Sequence, residues 1–314
     1  MIDHSEYNLY KIEQSLTTKN SNVNIICLLG DVCDQDHMSS LFAEYKPQLV
    51  FHAAAYKHVP ILEAQPHQGV KNNVLGTKTI LDVACEANTD KFILISTDKA
   101  VNPANILGVS KRIAELYTES INQNTLTKCI TVRFGNVLDS AGSVIPLFRE
   151  QIRNGGPVTV THREITRFFM TIKEAAQLIL QAGSMGQGGE IFVLDMGEPV
   201  KIKYLAEQMI QLSGKQINAD IDIVYSGLRP GEKLYEELFY NSEHQQSTGH
   251  EKIFLAKHSG VFAAECENKI NDLVGNNTNY KAADRKIQLH EFLVELENTN
   301  EKTGEFKNII QLDR

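Results

Sequence analysis

Apolar runs alternate with amphipathic stretches along the first two-thirds of this chain. Each run has the length and continuous apolar character of a strand buried on both faces. The stretches between the runs carry apolar residues at helical spacing. Such alternation predicts an α/β fold with a Rossmann-like, doubly wound parallel sheet, in which ligands bind at the carboxyl ends of the strands. The predicted strands are NVNIICLLG (22–30), QLVFHAAA (48–55), KFILIST (91–97) and CITVRFG (129–135).

The strand–helix pattern becomes less regular after Gly135, where shorter elements and turns follow one another. We interpret this change as a smaller domain that is interleaved with the sheet domain. The last part of the chain has the pattern of polar amphipathic helices with a charged end. The predicted divisions are a sheet domain at 1–138 and 166–197, a smaller domain at 139–165 and 198–257, and a helical C-terminal tail at 258–314.

Composition places the chain among ordinary globular proteins. It has 314 residues, of which 42% are hydrophobic, and a net charge of −8, so its overall charge favours neither nucleic acid nor acidic membranes. No apolar run reaches the roughly 18 residues of a membrane helix. Its 5 cysteines lack CxxC spacing and its 10 histidines form no cluster. We therefore expect reduced thiols, no metal site and a cytoplasmic location, either free or as the soluble part of a membrane-anchored protein.

The opening of the chain lacks an expected motif. A dinucleotide-binding fold normally begins with a strand, a glycine-rich turn and a helix whose N-terminus binds the pyrophosphate. This chain begins with MIDHSEYNLYKIE, which fits the end of a second strand and its helix, and the glycine cluster at 183–190 follows a helix instead. We expect the first βα unit to be missing. If the chain begins at Met1, we also expect poor folding and weak cofactor retention, because that strand is central in the sheet.

The segment STDKAVNPANILGVSK (96–111) follows a predicted buried strand and carries an unusual set of charges. Asp98 and Lys99 are adjacent, and Lys111 opens the next predicted helix. Neighbouring strand residues point to opposite faces, so the pair must lie in the turn beyond Thr97 to meet one ligand. An isolated pair of this kind is more often an exposed ion pair at a strand end. The spacing to the second lysine favours a functional interpretation.

Five motifs occur in order along the chain, and together they resemble one family. They are similar to those of UDP-N-acetylglucosamine 4,6-dehydratases, in the polysaccharide-biosynthesis branch of the extended short-chain dehydrogenases/reductases. The resemblance extends from residue 1 to about residue 257, and it implies a dinucleotide-binding sheet domain with a smaller nucleotide-sugar-binding domain. It also implies NAD, or alternatively NADP, and UDP-N-acetylglucosamine or a related UDP-sugar. The motifs are HAAAYKHVPILEAQPHQGVKNNVLGT, STDKAVNPANILGVSKR, RFGNVLDSAGSVIPLF, TRFFMTI and RPGEKLYEEL.

The resemblance implies an internal oxidation and reduction that removes water from the sugar. Hydride leaves C4 for the nicotinamide, the C5 proton and the C6 hydroxyl are lost, and hydride returns to C6. Asp98 is then the acid and Lys99 the base, and burial would raise the pKa of Asp98 and lower that of Lys99. Lys111 would bind the nicotinamide ribose. The wider superfamily has a tyrosine where this chain has Leu107, so we expect Thr97, with a water, to take the C4 hydroxyl proton.

Further ligand-binding positions carry over by resemblance. Asp3 corresponds to an acidic residue at a ribose hydroxyl, which favours NAD, and Arg229 has the fork geometry that suits a phosphate. Ser143 opens a helix whose N–H groups could face a diphosphate. The residues expected at the cofactor are Asp3, Asp31, Val32, Ala53, Ala54, Ala55, Asn73 and Lys111. The residues expected at the UDP-sugar are Lys57, Asn136, Ser143, Val144, Arg167, Arg229 and Glu232.

Two other interpretations stay open at this point. A UDP-sugar 4-epimerase is the first, although it would need the tyrosine and has no use for Asp98 and Lys99. The second is a non-catalytic remnant of a dehydratase, which binds a UDP-sugar or a partner chain. A homo-oligomer formed through the helices that flank the sheet is compatible with each interpretation, but the sequence does not establish it.

Overall fold

A computed structural model describes residues 1–18, 23–241, 243–257, 264–276 and 281–301 of the chain. Its strands are β1 (Ile2–Asp3), β2 (Leu28–Leu29), β3 (Leu49–His52), β4 (Lys91–Ile95), β5 (Lys128–Arg133), β6 (Asn136–Val137), β7 (Val158–Val160), β8 (Thr166–Arg167), β9 (Phe169–Met170), β10 (Ile191–Leu194), β11 (Val200–Lys201), β12 (Ile223–Tyr225), β13 (His244–Ser247) and β14 (Ile253–Lys257). Its α-helices are α1 (Glu6–Thr17), α2 (Gln35–Tyr45), α3 (Val59–Ala64), α4 (Pro66–Gly69), α5 (Gly76–Glu86), α6 (Ile106–Asn122), α7 (Val144–Arg153), α8 (Ile172–Met185), α9 (Ile202–Leu212), α10 (Ala264–Gly275) and α11 (Ala282–Glu301). A π-helical turn, Val70–Leu75, precedes α5, and a 3₁₀ turn, Asp98–Ala100, follows β4.

The main sheet has six strands in the order β13–β14–β10–β5–β4–β3. The strands β3, β4, β5 and β10 are parallel, whereas β14 and β13 are antiparallel to their neighbours. Parallel strands need crossover connections, which are usually helical, and α5, α6 and α8 occupy these connections between β3 and β10. The predicted α/β fold with a parallel central sheet is confirmed.

Of the first two predicted strands, one lies outside the main sheet and the other lies at its edge. Of the predicted strand 22–30, the described residues 23–30 form a strand at Leu28–Leu29, which pairs with β1 in a separate sheet. β3 forms the free edge of the main sheet, where Leu49 and Phe51 are 54% and 41% exposed. The prediction that these strands are buried on both faces is therefore wrong. Neither β2 nor β3 has a strand neighbour on both sides, so their side chains are covered less.

Two hydrophobic clusters cover the two faces of the main sheet. On one face, apolar side chains of α2, α5 and α6 pack together with those of α10 and α11. On the other face, α8 packs against β4, β5 and β10. Most of α6 is buried, because helices surround it on the outer side of the sheet. This helix is therefore held firmly enough to position side chains at its N-terminal end.

The predicted C-terminal tail contributes to the main core. Ile270 of α10 and Leu289 and Leu296 of α11 are each at most 1% exposed within the first cluster. These helices pack on α6, so they belong to the packing around the sheet domain. The parts of the tail at 258–263, 277–280 and 302–314 lie outside the described residues.

A third hydrophobic cluster involves α7, β7, α9 and β12. Its buried side chains all come from 139–165 and 198–257, the ranges predicted for the smaller domain. β7 and β12 pair in parallel at its centre. The cluster is consistent with a separate small core, and the exact domain division stays a prediction.

A buried ion-pair network joins α6 to the carboxyl end of β5. Glu115 accepts hydrogen bonds from Arg133 Nε at 2.8 Å and Nη2 at 2.8 Å, and from the Ser96 hydroxyl at 2.6 Å. Arg133 Nη1 also donates to Glu243 at 2.9 Å. The side chains of Glu115 and Arg133 are both 0% exposed. Burial acts to raise the pKa of Glu115, but the neighbouring Arg133 and Arg112 outweigh it and lower that pKa.

Replacing Glu115 by glutamine should destabilise the fold, because the Arg133 guanidinium would keep a buried charge with one counter-ion fewer. Removing one partner of a buried ion pair typically costs about 3–5 kcal/mol, and we expect a loss of that order in the free energy of unfolding at neutral pH, measured by chemical denaturation. The lowered pKa of Glu115 also sets the direction in which the stability changes with pH. The contribution of Glu115 should be present above its unfolded-state pKa and should be lost as pH falls through the folded-state pKa.

Glu119 offers a matched control one helical turn along α6. Burial raises the pKa of Glu119 to about 8, so a glutamine resembles the form that this side chain already favours. We expect Glu119→Gln to keep or slightly raise the free energy of unfolding at neutral pH. Equal losses in the two variants would contradict the assignment of the ion pair as the stabilising contact.

Candidate active site

Asp98 and Lys99 lie in the tight 3₁₀ turn that follows β4. The Thr97 hydroxyl caps this turn by accepting a hydrogen bond from Lys99 N at 3.4 Å. Asp98 N donates to the Phe134 carbonyl oxygen at 3.0 Å, which continues the pairing between the ends of β4 and β5. Because the chain bends directly after Thr97, the next two side chains do not alternate as they would in a strand. The turn brings the two side chains together.

The Asp98 carboxylate holds Thr97 and Lys99 in one cluster. Its Oδ1 accepts hydrogen bonds from Thr97 Oγ1 at 2.9 Å and from Lys99 Nζ at 2.9 Å. Lys99 Nζ also donates to Asn136 Oδ1 at 3.1 Å and lies 3.7 Å from Glu236 Oε1. The second carboxylate oxygen of Asp98, Oδ2, is buried and has no hydrogen-bond partner among the described residues. A buried acceptor without a partner is a candidate to receive a proton or to contact a ligand.

The protonation of Lys99 differs from what the sequence predicted. Burial acts to lower its pKa, but the carboxylates of Asp98 and Glu236 outweigh burial, and the net pKa is raised. The prediction of a lowered Lys99 pKa is therefore wrong for this state of the protein. The physical reason is the pair of carboxylates: Asp98 acts most strongly, and Glu236, which the sequence did not place in the cluster, adds to it. Lys99 stands here as an ammonium group between two acceptors.

Lys111 of α6 contacts the strand that leads into the same turn. Its Nζ donates to the Ile95 carbonyl oxygen at 2.7 Å, at the end of β4. Burial lowers the pKa of Lys111 to about 8, and the opposing attraction of Glu115 is smaller. Leu107, one turn earlier in α6, is buried in the core around the sheet. Position 107, which is a tyrosine in the wider superfamily, is therefore apolar in this chain. The lysine one helical turn later, Lys111, is present.

A cavity of about 190 Å³ opens beside the turn. Most of its charged lining comes from positions that the sequence predicted for a UDP-sugar, and basic residues predominate. The structure brings Lys57, Arg167, Arg229 and Glu232 together with Lys99 around this space. The other members of the lining were not predicted; they are His58, Val59, Pro60, Asn105, Gly231 and Glu236.

The two arginines of the cavity are bound differently. The Arg167 guanidinium donates to the carbonyl oxygens of Thr166 at 2.6 Å and Lys233 at 2.9 Å, and its side chain is 8% exposed. Arg229 is an exposed residue whose side chain makes no hydrogen bond or ion pair in the part of the chain that the structure describes. Its backbone N donates to Glu232 Oε2 at 3.0 Å. The Arg229 guanidinium is therefore the one of these two that is available to an anion.

The loop that leads into α7 lies against His58, a residue of the cavity lining, whereas Ser143 and Val144 do not line the cavity themselves. Ser143 is the N-cap residue of α7, yet the buried Ser143 hydroxyl has no partner among the described residues, and Val144 begins the helix. Gly142 precedes it with a φ of +68°, and a Cβ there would lie 2.5 Å from the His58 ring. Glycine therefore lets this loop approach His58 closely. Free helix N–H groups and an unbonded hydroxyl together suit an anionic group.

The residues predicted for the adenosine part of a cofactor lie at the carboxyl ends of β1 and β2. Asp3 ends β1, and its Oδ1 accepts from Ser5 N at 2.8 Å. Asp31 follows β2 as an exposed residue and accepts from Cys33 N at 2.9 Å. Val32 packs so closely on α5 that a Cβ on Gly76 would lie 2.7 Å from it. These residues share one edge of the fold, apart from the cavity.

Asn73 braces the chain that follows β3. Its Oδ1 accepts from Tyr56 N at 2.8 Å, while its Nδ2 donates to Tyr56 O at 3.0 Å and to Ser110 Oγ at 3.0 Å. The π-helical turn carries Asn73 inward to make these contacts. They join this segment to α6. The small side chains at 53–55 lie between β3 and the braced residue.

The sequence analysis missed two residues that connect the smaller region to the turn. Asn105 caps α6 by accepting from Gly108 N at 2.9 Å, and its Nδ2 donates to the Gly231 carbonyl oxygen at 2.9 Å. Glu236 reaches the cluster from the segment after β12, with its side chain 3% exposed. The pair of glutamates within RPGEKLYEEL was the sole sequence signal for Glu236. Nothing in that pair shows which glutamate points inward.

Comparison with known proteins adds a family to this geometry. The family model of polysaccharide biosynthesis proteins matches residues 1–258. The chain belongs to this family. Capsular polysaccharide biosynthesis protein CapD of Staphylococcus aureus is 50% identical over 278 residues, which make up 88% of this chain and 46% of CapD. The UDP-glucose 4-epimerase of Rickettsia canadensis is 37% identical over 234 residues, 73% of this chain and 66% of that relative. The family predicted from the five motifs is confirmed.

Solved structures resemble this member of the family in fold. Pen from Bacillus thuringiensis has a TM-score of 0.74 and 34% identity, over 82% of this chain and 80% of Pen. DesIV of Streptomyces venezuelae, a dTDP-glucose 4,6-dehydratase solved with NAD and TYD bound, has a TM-score of 0.66 and 17% identity, over 93% of this chain and 86% of DesIV. The second likeness concerns the fold alone. The chain spans less than half the length of CapD.

Two features are absent from the described residues. None of their helices is long and apolar enough to cross a membrane. They also contain no group of three or more histidine, cysteine, aspartate and glutamate side chains that could hold a metal ion.

Gly108 should be irreplaceable at the contact between α6 and the 3₁₀ turn. A Cβ at this position would lie 2.1 Å from the Lys99 carbonyl oxygen and 2.9 Å from Pro103 Cβ. Alanine favours a helix over glycine by about 1 kcal/mol, but overpacking against backbone costs about 1–3 kcal/mol or more. We expect Gly108→Ala to lower the free energy of unfolding and to displace Lys99, as measured by denaturation and by UDP binding.

Gly249 is the control, because an added Cβ there meets nothing within 4 Å. Gly249→Ala should leave both measurements unchanged. A Gly108→Ala variant that is as stable as the parent and binds UDP equally well would show that α6 does not constrain the turn.

Proposed function

We propose that this protein is a nucleotide-sugar 4,6-dehydratase that acts on UDP-N-acetylglucosamine in the synthesis of a surface polysaccharide. The observation that carries the proposal is the cluster of Thr97, Asp98 and Lys99, in which one carboxylate oxygen accepts from both neighbours at 2.9 Å beside a basic cavity. Elimination of water next to a ketone needs an acid and a base on one ring. A carboxyl group and an amine on consecutive residues of a tight turn can supply both.

NAD is the cofactor that we propose, with NADP as the alternative. The residues at the strand ends fit parts of it: Asp3 can accept from a ribose hydroxyl, Ala53 and its neighbours are small, and Lys111 offers a buried positive group near the turn. The likeness in fold to DesIV, which was solved with NAD bound, supports this. When bound, the nicotinamide takes hydride from C4 of the sugar and returns it to C6.

Thr97 has the geometry to manage the proton of the C4 hydroxyl. Its Oγ1 already donates to Asp98 Oδ1 at 2.9 Å. A proton accepted by Thr97 from the sugar can therefore be balanced by the one that Thr97 passes to Asp98. This relay needs no tyrosine, which agrees with the buried leucine at position 107. It also leaves Asp98 protonated, which is the form that an acid at the leaving C6 oxygen requires.

Lys99 is the base that we assign to the C5 proton, and Asp98 is the acid that protonates the departing hydroxyl. Once the ketone has formed at C4, the C5 proton is acidic enough for an amine to remove. Lys99 keeps this proton and gives it back to C5 when the ring is reduced at C6. Asn136, which accepts from Lys99 Nζ at 3.1 Å, directs the amine toward the substrate side of the turn.

The basic side of the cavity suits the diphosphate of a UDP-sugar. We assign this role to the Arg229 guanidinium, which can bind a phosphate in a bidentate way, and to the N-terminus of α7 with Ser143 and Val144. Lys57 adds an amine whose pKa is lowered by burial. Arg167 and Glu232 line the cavity beside it. The oligomeric state and the cytoplasmic location stay predictions.

A UDP-sugar 4-epimerase is the second candidate, because the epimerase of Rickettsia canadensis is 37% identical over 73% of this chain. Epimerisation uses the oxidation at C4 but needs no acid or base at C5 and C6. The buried leucine at position 107 and the Asp98–Lys99 pair both favour the dehydratase. The non-catalytic remnant, which binds a UDP-sugar without turnover, is the third candidate.

Incubation of the protein with NAD and UDP-N-acetylglucosamine should yield a product that is lighter by one water, detected by mass spectrometry of the nucleotide sugar. A product of unchanged mass with inverted configuration at C4, detected by NMR, would identify the epimerase. Unchanged substrate together with measurable UDP binding would identify the remnant.

Thr97→Val should abolish dehydration, because valine has a similar shape but cannot relay the C4 hydroxyl proton to Asp98. We expect a fall of about 10²-fold or more, the usual size of a general acid–base contribution, with UDP affinity retained. Thr97→Ser keeps the hydroxyl and should retain much of the turnover. Equal turnover for the valine and serine variants would reject the relay.

A further inference from the structure

Glu236 is a buried carboxylate in the middle of the charged cluster, and the proposed reaction has not used it. Its Oε1 lies 3.7 Å from Lys99 Nζ and 3.6 Å from Arg167 Nε. Its side chain is 3% exposed, which is an unusual degree of burial for a glutamate. It therefore connects the proposed base to the arginine of the cavity floor.

The second oxygen of Glu236 is not satisfied by the protein. Oε2 is buried and has no hydrogen-bond partner among the described residues. A buried acceptor of this kind normally costs free energy and usually has a functional reason. Glu237, the next residue, is different: its carboxylate binds Lys233 at 3.2 Å and its side chain is 45% exposed.

The proposed reaction does not yet assign an acceptor for one proton, that of the Lys99 ammonium group. Asp98 must be ionised at the start, because it receives the C4 hydroxyl proton through Thr97. Lys99 is then an ammonium group held by two carboxylates, and an ammonium group cannot accept the C5 proton. Once Asp98 has been protonated, the carboxylate that remains within reach of Lys99 is Glu236.

We propose that Glu236 is a positioning residue for Lys99, which takes the ammonium proton of Lys99 before the C5 proton is removed and returns it at the end of the cycle. This inference rests on the proposed dehydration. An N–H bond of Lys99 breaks and an O–H bond forms on Glu236, and no electron is transferred. Lys99 is then neutral, accepts the C5 proton and later gives it back to C5. The proton on Glu236 finally returns to Lys99, so both groups regain their starting state.

The charges around Glu236 are compatible with this exchange. Burial raises the pKa of the Glu236 carboxyl, the Lys99 ammonium opposes this, the Asp98 carboxylate adds to it, and Arg167 and Lys233 oppose it more weakly. Protonation of Asp98 removes the negative charge that holds Lys99 as a cation. Lys99 and Glu236 form an ion pair at 3.7 Å, which is longer than a hydrogen bond. A small side-chain movement can close this distance, and catalytic contacts often tighten when substrate binds.

The decisive variant is Glu236→Gln, which keeps the size and removes the ability to hold a proton. Oxidation at C4 does not need Glu236, so the variant should accumulate reduced cofactor on mixing with UDP-N-acetylglucosamine, followed by its absorbance. Dehydration should fall by about 10²-fold near neutral pH, with UDP affinity retained. It should recover as pH rises, because solvent base can then take the Lys99 proton. Glu236→Asp should retain part of the turnover, since it keeps a carboxyl group.

Glu237→Gln is the matched control and should behave like the parent protein in each assay. A purely electrostatic role predicts a different result for Glu236→Gln. Loss of the negative charge would lower the pKa of Lys99, so the rising limb of the pH–rate profile would move to lower pH with the maximal rate undiminished. That result would overturn the proposal.

A titration tests the same property without turnover. Carbon-13 NMR of labelled glutamate carboxyl groups identifies the Glu236 resonance by its loss in Glu236→Gln. We expect it to titrate well above the ordinary glutamate pKa of about 4.3, and titration at the ordinary value would overturn the proposal. If the parent protein forms no product lighter by one water while Glu236 titrates high, the dehydratase function fails but the proton-holding property of Glu236 stands.

Discussion

The buried contact between Glu115 and Arg133 is the interaction on which the position of the reactive turn depends. Two hydrogen bonds of 2.8 Å lock the α6 carboxylate to the end of β5, and a third, of 2.6 Å, holds Ser96. Ser96 directly precedes Thr97, and Asp98 N bonds to Phe134, the residue after Arg133. The turn is therefore fixed from both sides before any ligand binds, as preorganised catalytic geometry requires.

The same residue types form two clusters with opposite properties. Around Glu115 the charges are mutually satisfied, and the pKa of the carboxyl is lowered by its arginine neighbours. Around Lys99, the oxygens Asp98 Oδ2 and Glu236 Oε2 have no partner among the described residues, and the pKa of Glu236 is raised by burial. Networks in which every group is hydrogen-bonded give rigidity. Groups with shifted pKa values and oxygens that lack a hydrogen-bond partner are suited to proton transfer. The network around Glu115 therefore holds the turn in place, and the groups suited to proton transfer lie around Lys99.

The edge of the sheet separates two parts of the proposed chemistry. The side chains of the proposed reacting cluster come from the turn after β4, from β6 and from the segment after β12. The residues predicted for the adenosine part of a cofactor instead lie at the carboxyl ends of the short strands β1 and β2. The proposed UDP-sugar and adenosine sites therefore lie on different elements of this family member, and binding to each can be measured separately.

The sequence by itself determined the strand–helix order, the family, and the presence of Asp98 and Lys99 at a strand end, because periodicity and local motifs are properties of neighbouring residues. It also identified most of the charged lining of the cavity. Only the tertiary structure decided that Glu236 joins Asp98 beside Lys99, where the two carboxylates raise the pKa of Lys99, and that Glu115 meets Arg133. These contacts join residues far apart in the chain, and whether a charge is buried or paired depends on the groups that folding brings around it.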